Sequence, residues 1–147
     1  MEFEALFARV AAEYGLDKHM LAEQAWRESR WDPLAIGASS DMGLMQILPA
    51  AWQEWAPKVQ VYDPFDPESN LRVAAAYLAF LRGYLPAQVG VAGDYWMLVA
   101  YKWGAGNVRD LITRGQGWEQ TPQTHREYAI SILTGAEARA LAAAEPL

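Results

Sequence analysis

The sequence predicts an all-α domain with at most a small β element after Trp31. Three observations predict it. Apolar residues recur at helical spacing in several separate stretches. Aspartate or proline start signals stand directly before most of those stretches. No fixed-period repeat, low-complexity tract or linker divides the 147 residues, so one domain with a substantial core is expected.

Phe3, Leu6, Phe7, Val10, Ala11 and Tyr14 form the apolar stripe of a first helix that Gly15 ends. Asp17 is placed to cap a second helix through about Ser29, with Met20, Leu21, Ala22, Ala25 and Trp26 on its apolar side. Residues 31–42 contain Pro33, Gly37 and Ser39-Ser40 and read as loop with a short hairpin. Pro49 opens a short helix through Trp55, and 57–67 read as irregular. Asp66-Pro67-Glu68 then starts an alanine-rich helix covering 71–84. A helix over 94–102 is interrupted by Gly104-Ala105-Gly106, and a shorter one follows over 107–114. After the Gly115-Gln116-Gly117 turn, Thr121-Pro122 opens a helix expected to end near Gly135. Thr134 to Glu137 fits a capping box for a separate final helix.

Composition narrows the functional classes. A net charge of −6 and the lack of a basic stripe argue against a nucleic-acid partner. No run reaches the roughly 18 apolar residues of a membrane span. There is no cysteine, which removes thiolate and disulfide chemistry. His19 and His125 lack the spacing of a zinc site, so no metal is expected. Met1-Glu2-Phe3-Glu4 is acidic where a secretory leader is basic, so delivery by a phage particle, by lysis or within a larger assembly is expected. The seven Trp and seven Tyr are first of all core formers, although flat rings also suit sugars.

Glu28 is the residue with the strongest chemical signal. On the helical period it shares a side with Leu21 and Ala25, so its carboxyl turns partly towards the core. It also lies near a helix C-terminus, where the dipole disfavours an anion. Both effects raise its pKa, which suits a general acid. The alternative is a glutamate reaching solvent beside Arg27 or Arg30.

Glu28-Ser29, then Gly43-Leu44-Met45-Gln46, then Ala100-Tyr101 with Gly104 and Gly106-Asn107-Val108, and finally Tyr128 stand in a fixed order. Between them lie Phe65-Asp66-Pro67-Glu68-Ser69-Asn70-Leu71 and Ala76-Tyr77-Leu78. This set, over about 16–133, resembles the family 1 lytic transglycosylases, lysozyme-like enzymes that cut the glycan strands of bacterial peptidoglycan. The resemblance implies that Glu28 is the sole catalytic acid/base. It would protonate the oxygen between N-acetylmuramic acid and N-acetylglucosamine, then take the proton of the muramic acid 6-hydroxyl as that oxygen closes a 1,6-anhydro ring. Ordinary hydrolytic glycosidases need a second carboxylate. Ser29, Met45, Gln46, Tyr101, Lys102 and Tyr128 are implied substrate-binding residues, and Gly43 a point where backbone approaches the sugar. Peptidoglycan strands are the implied partner, in an open groove, with no cofactor, in a monomer or a module of a larger assembly.

Lys102 and Trp103 depart from the family, which has Asn and a small residue there. An ammonium beside Glu28 would lower its pKa, so Lys102 is expected to point at substrate or solvent instead. Trp103 either widens the aromatic wall, the preferred placement, or fills adjoining core. Gln123 replaces a common Glu. The nearest rival is a hydrolase resembling goose-type lysozymes, with Asp41, or less well Asp32, as second acid. Ile47-Leu48-Pro49 resembles the transglycosylases more. A further alternative is an inactive glycan-binding part of a virion or secretion machine.

Overall fold

The computed structural model describes residues 3–144. Among these residues the chain forms seven α-helices: α1 Glu4–Tyr14, α2 Lys18–Ser29, α3 Pro49–Val59, α4 Pro67–Tyr84, α5 Asp94–Trp103, α6 Ala105–Thr113 and α7 Gln123–Ala144. No described helix is long and apolar enough to cross a membrane. The small β element is two isolated bridges that share Met42, one to Ile36 and one to Ile47.

The start signals act through hydrogen bonds. Asp17 accepts from the His19 amide at 2.9 Å, and Asp66 from the Ser69 amide at 2.9 Å, each covering an amide that the first helical turn leaves free. Gly15 ends α1 in the left-handed region at φ 67°, as its position predicted. Arg82 of α4 donates to the Tyr14 carbonyl at 3.0 Å, so a cation closes the negative end of α1.

Helix α5 is the centre of the packing. Met97, Leu98, Val99 and Ala100 are all buried in succession, because α4, α6 and α7 cover it on different sides. Helix α2 lies against α1 and α7, and α3 against α4. Leu21, Leu44, Leu71, Leu78, Leu98 and Ile132 are wholly inaccessible, each stabilising the fold by about 1.5–3 kcal/mol through burial.

The break expected over Gly104-Ala105-Gly106 is Gly104 alone, with α6 beginning at Ala105. Three larger differences from expectation lie elsewhere in the chain. Helix α3 runs on past Trp55 to Val59 with Pro57 inside it. Pro57 and Gln53, whose carbonyl loses its helical donor, are both exposed, so water can take the missing bond. Helix α4 is followed by a π-helical turn, Leu85–Val89, that no local signal announced; it ends at Gly90 with φ 91°.

The third is α7, one continuous helix through Gly135 with no break at the supposed capping box. Gly135 serves close approach and not termination. A Cβ there would stand 2.4 Å from the Glu23 carboxyl carbon. Glu23 is itself buried, and accepts from Arg139 Nε at 2.8 Å. Alanine normally improves a helix interior by about 1 kcal/mol over glycine. Here the sign reverses: Gly135→Ala is expected to lose about 1–3 kcal/mol by overpacking, read as a lower urea midpoint.

Candidate active site

Arg30 and Trp31 both adopt positive φ, 55° and 61°, so α2 stops abruptly and Glu28 occupies its last turn. Trp31 is pinned by a 2.9 Å bond from its indole nitrogen to the Ala22 carbonyl, which turns the following loop back over α2. The Glu28 side chain is only 11% exposed. Burial, the largest influence, raises its pKa above the ordinary 4.5; Lys102 opposes, Asp41 reinforces, and the Tyr128 hydroxyl opposes weakly.

The Gly43-Leu44-Met45-Gln46 loop is joined to α2 by Ser29, whose buried hydroxyl lies 2.7 Å from the Leu44 carbonyl and 3.1 Å from that of Ala25. Ser29 therefore faces main chain and is not on the cleft wall. Met45 is also fully buried and absent from that wall. Gly43, at φ 76°, is needed for a different close approach from the one expected. A Cβ there would lie 2.5 Å from both the Asn70 side-chain nitrogen and the Pro64 carbonyl oxygen. Asn70, fully buried on α4, accepts from the Met45 amide at 2.7 Å and donates to Met42 and Pro64 carbonyls at 2.9 and 2.8 Å. Three of its four hydrogen-bonding capacities are spent on holding the loop and the Pro64 main chain behind it. Gln46 does reach the cleft. Its amide nitrogen donates to the Ala35 and Gly43 carbonyls at 3.1 and 3.0 Å, which turns its carbonyl oxygen away as the end open to a ligand.

Tyr101 lines the cleft, and burial raises its pKa well above the tyrosine value, so it stays a neutral phenol. Tyr128, from α7, has its hydroxyl 3.5 Å from Glu28 Oε2. The expectation about Lys102 is overturned: its Nζ lies 3.7 Å from Glu28 Oε1 and 5.3 Å from the centre of the Tyr128 ring. The cause is tertiary, since α5 and α2 both pack on α7, so the end of α5 meets the end of α2. The Lys102 side chain remains 46% exposed, so its ammonium keeps much of its hydration and does not outweigh burial. Removing it takes away a pKa-lowering influence. Lys102→Met is expected to move the alkaline limb of the activity profile to higher pH, because Glu28 then keeps its proton longer; a limb displaced to lower pH would contradict the geometry.

Trp103 is not on the cleft wall either; its ring stacks on His125 at 5.8 Å, filling the join between α5 and α7. The cleft has a volume of about 260 Å³. Glu28, Asp41, Gln46, Leu48, Trp55, Tyr77, Tyr101 and Lys102 are among its lining residues. Trp55, Tyr77 and Tyr101 make a run of rings, with centres 5.3 and 5.6 Å apart. Asp41 and Glu28 are the carboxyls among the described lining residues. Asp32 instead accepts from the Leu34 amide at 2.9 Å, an exposed turn contact. No group of described side chains has the make-up of a metal site.

Four residues at or behind the site had no role assigned from the sequence: Trp55, Tyr77, Asn70 and Gln24, although Tyr77 and Asn70 stand in the stretches that carry the resemblance. Trp55 and Tyr77 looked like core formers. Asn70 carried a weak signal, a polar residue one position before a buried leucine on the inner face of a helix. Gln24 carried a better one, because it lies one helical turn before Glu28 on the same side.

A helical domain with a shielded carboxyl of raised pKa in a cleft walled by aromatic rings is of the lysozyme-like class. Within that class, the transglycosylase SLT domain matches residues 5–123, and the chain belongs to that family. A membrane-bound lytic murein transglycosylase F of Alcanivorax borkumensis is 31% identical over 129 residues, covering 82% of this chain and 27% of the relative. A membrane-bound lytic murein transglycosylase C of Edwardsiella ictaluri is 30% identical over 119 residues, covering 74% of this chain and 33% of the relative. This chain thus spans only about a quarter to a third of the curated relatives it matches. The 70-kDa soluble lytic transglycosylase of Escherichia coli has the same fold. Its TM-score is 0.81 at 22% identity, over 97% of this chain and 25% of that one.

Proposed function

We propose that this chain cuts the β-1,4 bond between N-acetylmuramic acid and N-acetylglucosamine in peptidoglycan without consuming water, with Glu28 as the one acid/base. The carrying observation is Glu28 itself, shielded so that its pKa is raised and open to a cleft that can seat sugar rings. The Glu28 carboxyl gives its proton to the glycosidic oxygen as the C1–O bond breaks and the pair of electrons leaves with the N-acetylglucosamine 4-oxygen. The muramic acid 6-oxygen then bonds to C1, and its proton returns to the Glu28 carboxylate. Atoms and charge balance with no added nucleophile. Lys102 and the Tyr128 hydroxyl stand where they steady the carboxylate between the two transfers.

Trp55, Tyr77 and Tyr101 offer flat walls for the sugar rings, and Gln46 an acceptor for their hydroxyls or amides. Lys102, half in solvent, can meet the substrate as well as Glu28. Ser29 and Met45 serve the cleft by holding its loop. Digestion of purified glycan strands, followed by weighing the fragments, tests the proposal. Anhydro ends, lighter by one water than reducing ends, are expected.

Asp41 is the residue a hydrolytic route would recruit, because it shares the cleft with Glu28 and raises its pKa. Its Oδ1 already accepts from the Ser39 amide at 3.1 Å, as a turn residue does. Asp41→Asn is therefore expected to keep activity within about tenfold and to keep anhydro products. A loss of the size expected for a catalytic carboxylate, about 10²–10⁴-fold, would instead favour the lysozyme-like hydrolase.

A further inference from the structure

Gln24 is fully buried in α2, one turn before Glu28, among Met20, Leu21, Ala22 and Ala25. Its Nε2 donates to the Tyr128 hydroxyl at 3.1 Å, and its Oε1 has no partner among the described residues. An apolar side chain of similar volume would fill this place and leave no orphaned carbonyl, so packing does not account for the amide. Its one polar contact accounts for it. A tyrosine hydroxyl carries a single proton. When Gln24 donates to the Tyr128 oxygen, that proton must be directed elsewhere. The Glu28 Oε2 stands 3.5 Å away, at the long end of hydrogen-bonding range. With the opposite polarity Tyr128 would donate to Gln24, and Glu28 would keep Lys102 but lose the Tyr128 donor.

We propose that Gln24 is a positioning residue that sets the polarity of Tyr128, keeping its hydroxyl a donor to the Glu28 carboxylate in the form that must recover a proton. The inference rests on the acid/base assignment of Glu28. The groups that face Glu28 are Lys102 and Tyr101 from α5, Asp41 from the loop and Tyr128 from α7; Gln24 reaches it only through Tyr128. Because Gln24 touches no cleft surface, its effect belongs in turnover and in the titration of Glu28, not in substrate affinity.

The test is direct titration of Glu28 by carboxyl carbon NMR in the whole chain, with pH profiles of glycan cleavage. It compares wild type, Gln24→Met, Tyr128→Phe and the double variant. In Gln24→Met, Glu28 should titrate at higher pH, because the Tyr128 oxygen, released from Gln24, is free to accept from the protonated Glu28 carboxyl and its hydroxyl is no longer held as a donor. The kcat should fall about fivefold with KM unchanged. In the Tyr128→Phe background the same substitution should move neither titration nor kcat further. An unshifted Glu28 titration in Gln24→Met overturns the proposal, as does a shift of full size without the Tyr128 hydroxyl. If Gln24→Met does not fold, Gln24→Asn, whose shorter amide withdraws from Tyr128, is read by the same titration. Failure of the acid/base assignment shows separately, as cleavage that survives Glu28→Gln.

Discussion

Glu28→Gln is expected to lower the cleavage of purified glycan strands by about 10²–10⁴-fold, the contribution of a general acid–base. The amide keeps the shape and burial of the carboxyl and loses only the titrating proton. The same substitution should make the protein more stable at neutral pH, by an argument independent of activity. Glu28 has a raised pKa in the fold, so the folded chain holds that proton more tightly than the unfolded chain does. Below the unfolded value of 4.5 both states are protonated and the group is neutral in the balance. As pH rises from 4.5 through the raised folded value, stability is lost and stays lost above it. Glutamine has no such term. Melting curves at pH 4 and pH 7 should therefore nearly coincide for the two proteins at the lower pH and separate at the higher, with the variant above. Equal cleavage by both proteins would remove Glu28 from the chemistry altogether.

Asn70→Ala is expected to destabilise the fold by about 3–5 kcal/mol. It strands the Met45 amide and the Met42 and Pro64 carbonyls at about 1–3 kcal/mol for each group that stays dry. The urea midpoint reads the loss, and the slope of the transition should be unchanged if the compactness of both end states is preserved. Activity should fall with it even at temperatures where the chain is folded, because Gln46 rides on the same loop. Asn70→Asp separates shape from chemistry. It fits the same space and can still accept from the Met45 amide, but it turns both donors into acceptors facing carbonyls. It should therefore be no better than alanine. If Asn70→Asp retains native stability, the loop is held by something other than these bonds. Gly43→Ala attacks the same clamp from the opposite side, through a positive φ and a Cβ pressed against Asn70.

Legibility in the sequence followed the range of the forces involved. Starts at Asp17, Pro49 and Asp66, the stop at Gly15 and the break at Gly104 are set by backbone atoms within a few residues, so residue type alone placed them. Glu28 was visible for the same reason, since its side of α2 follows from the helical period. The continuity of α7 was not visible. Gly135 has the chemistry of a helix end, and only Glu23, from the opposite helix, reveals that a side chain there would displace a carboxylate bonded to Arg139. Helix α3 likewise outran its proline because the carbonyl left without a donor belongs to an exposed residue.

The candidate site divides along the same line. By itself, the sequence indicated a helical lysozyme-like domain, a glutamate on the inner side of α2 at position 28, the glycine-led loop after it and, through the family resemblance, the tyrosines at 101 and 128 as candidates for the cleft. Tertiary structure alone decided that Ser29 and Met45 turn inward and that Lys102 meets Glu28. It also decided that Trp103 stacks on His125 and that Asn70 and Gln24 stand behind the candidate groups of the cleft. The reason is physical. A helix chooses its inner face from its own period, but which group waits across the interface depends on the packing of α2 and α5 against α7, over separations of up to about a hundred residues.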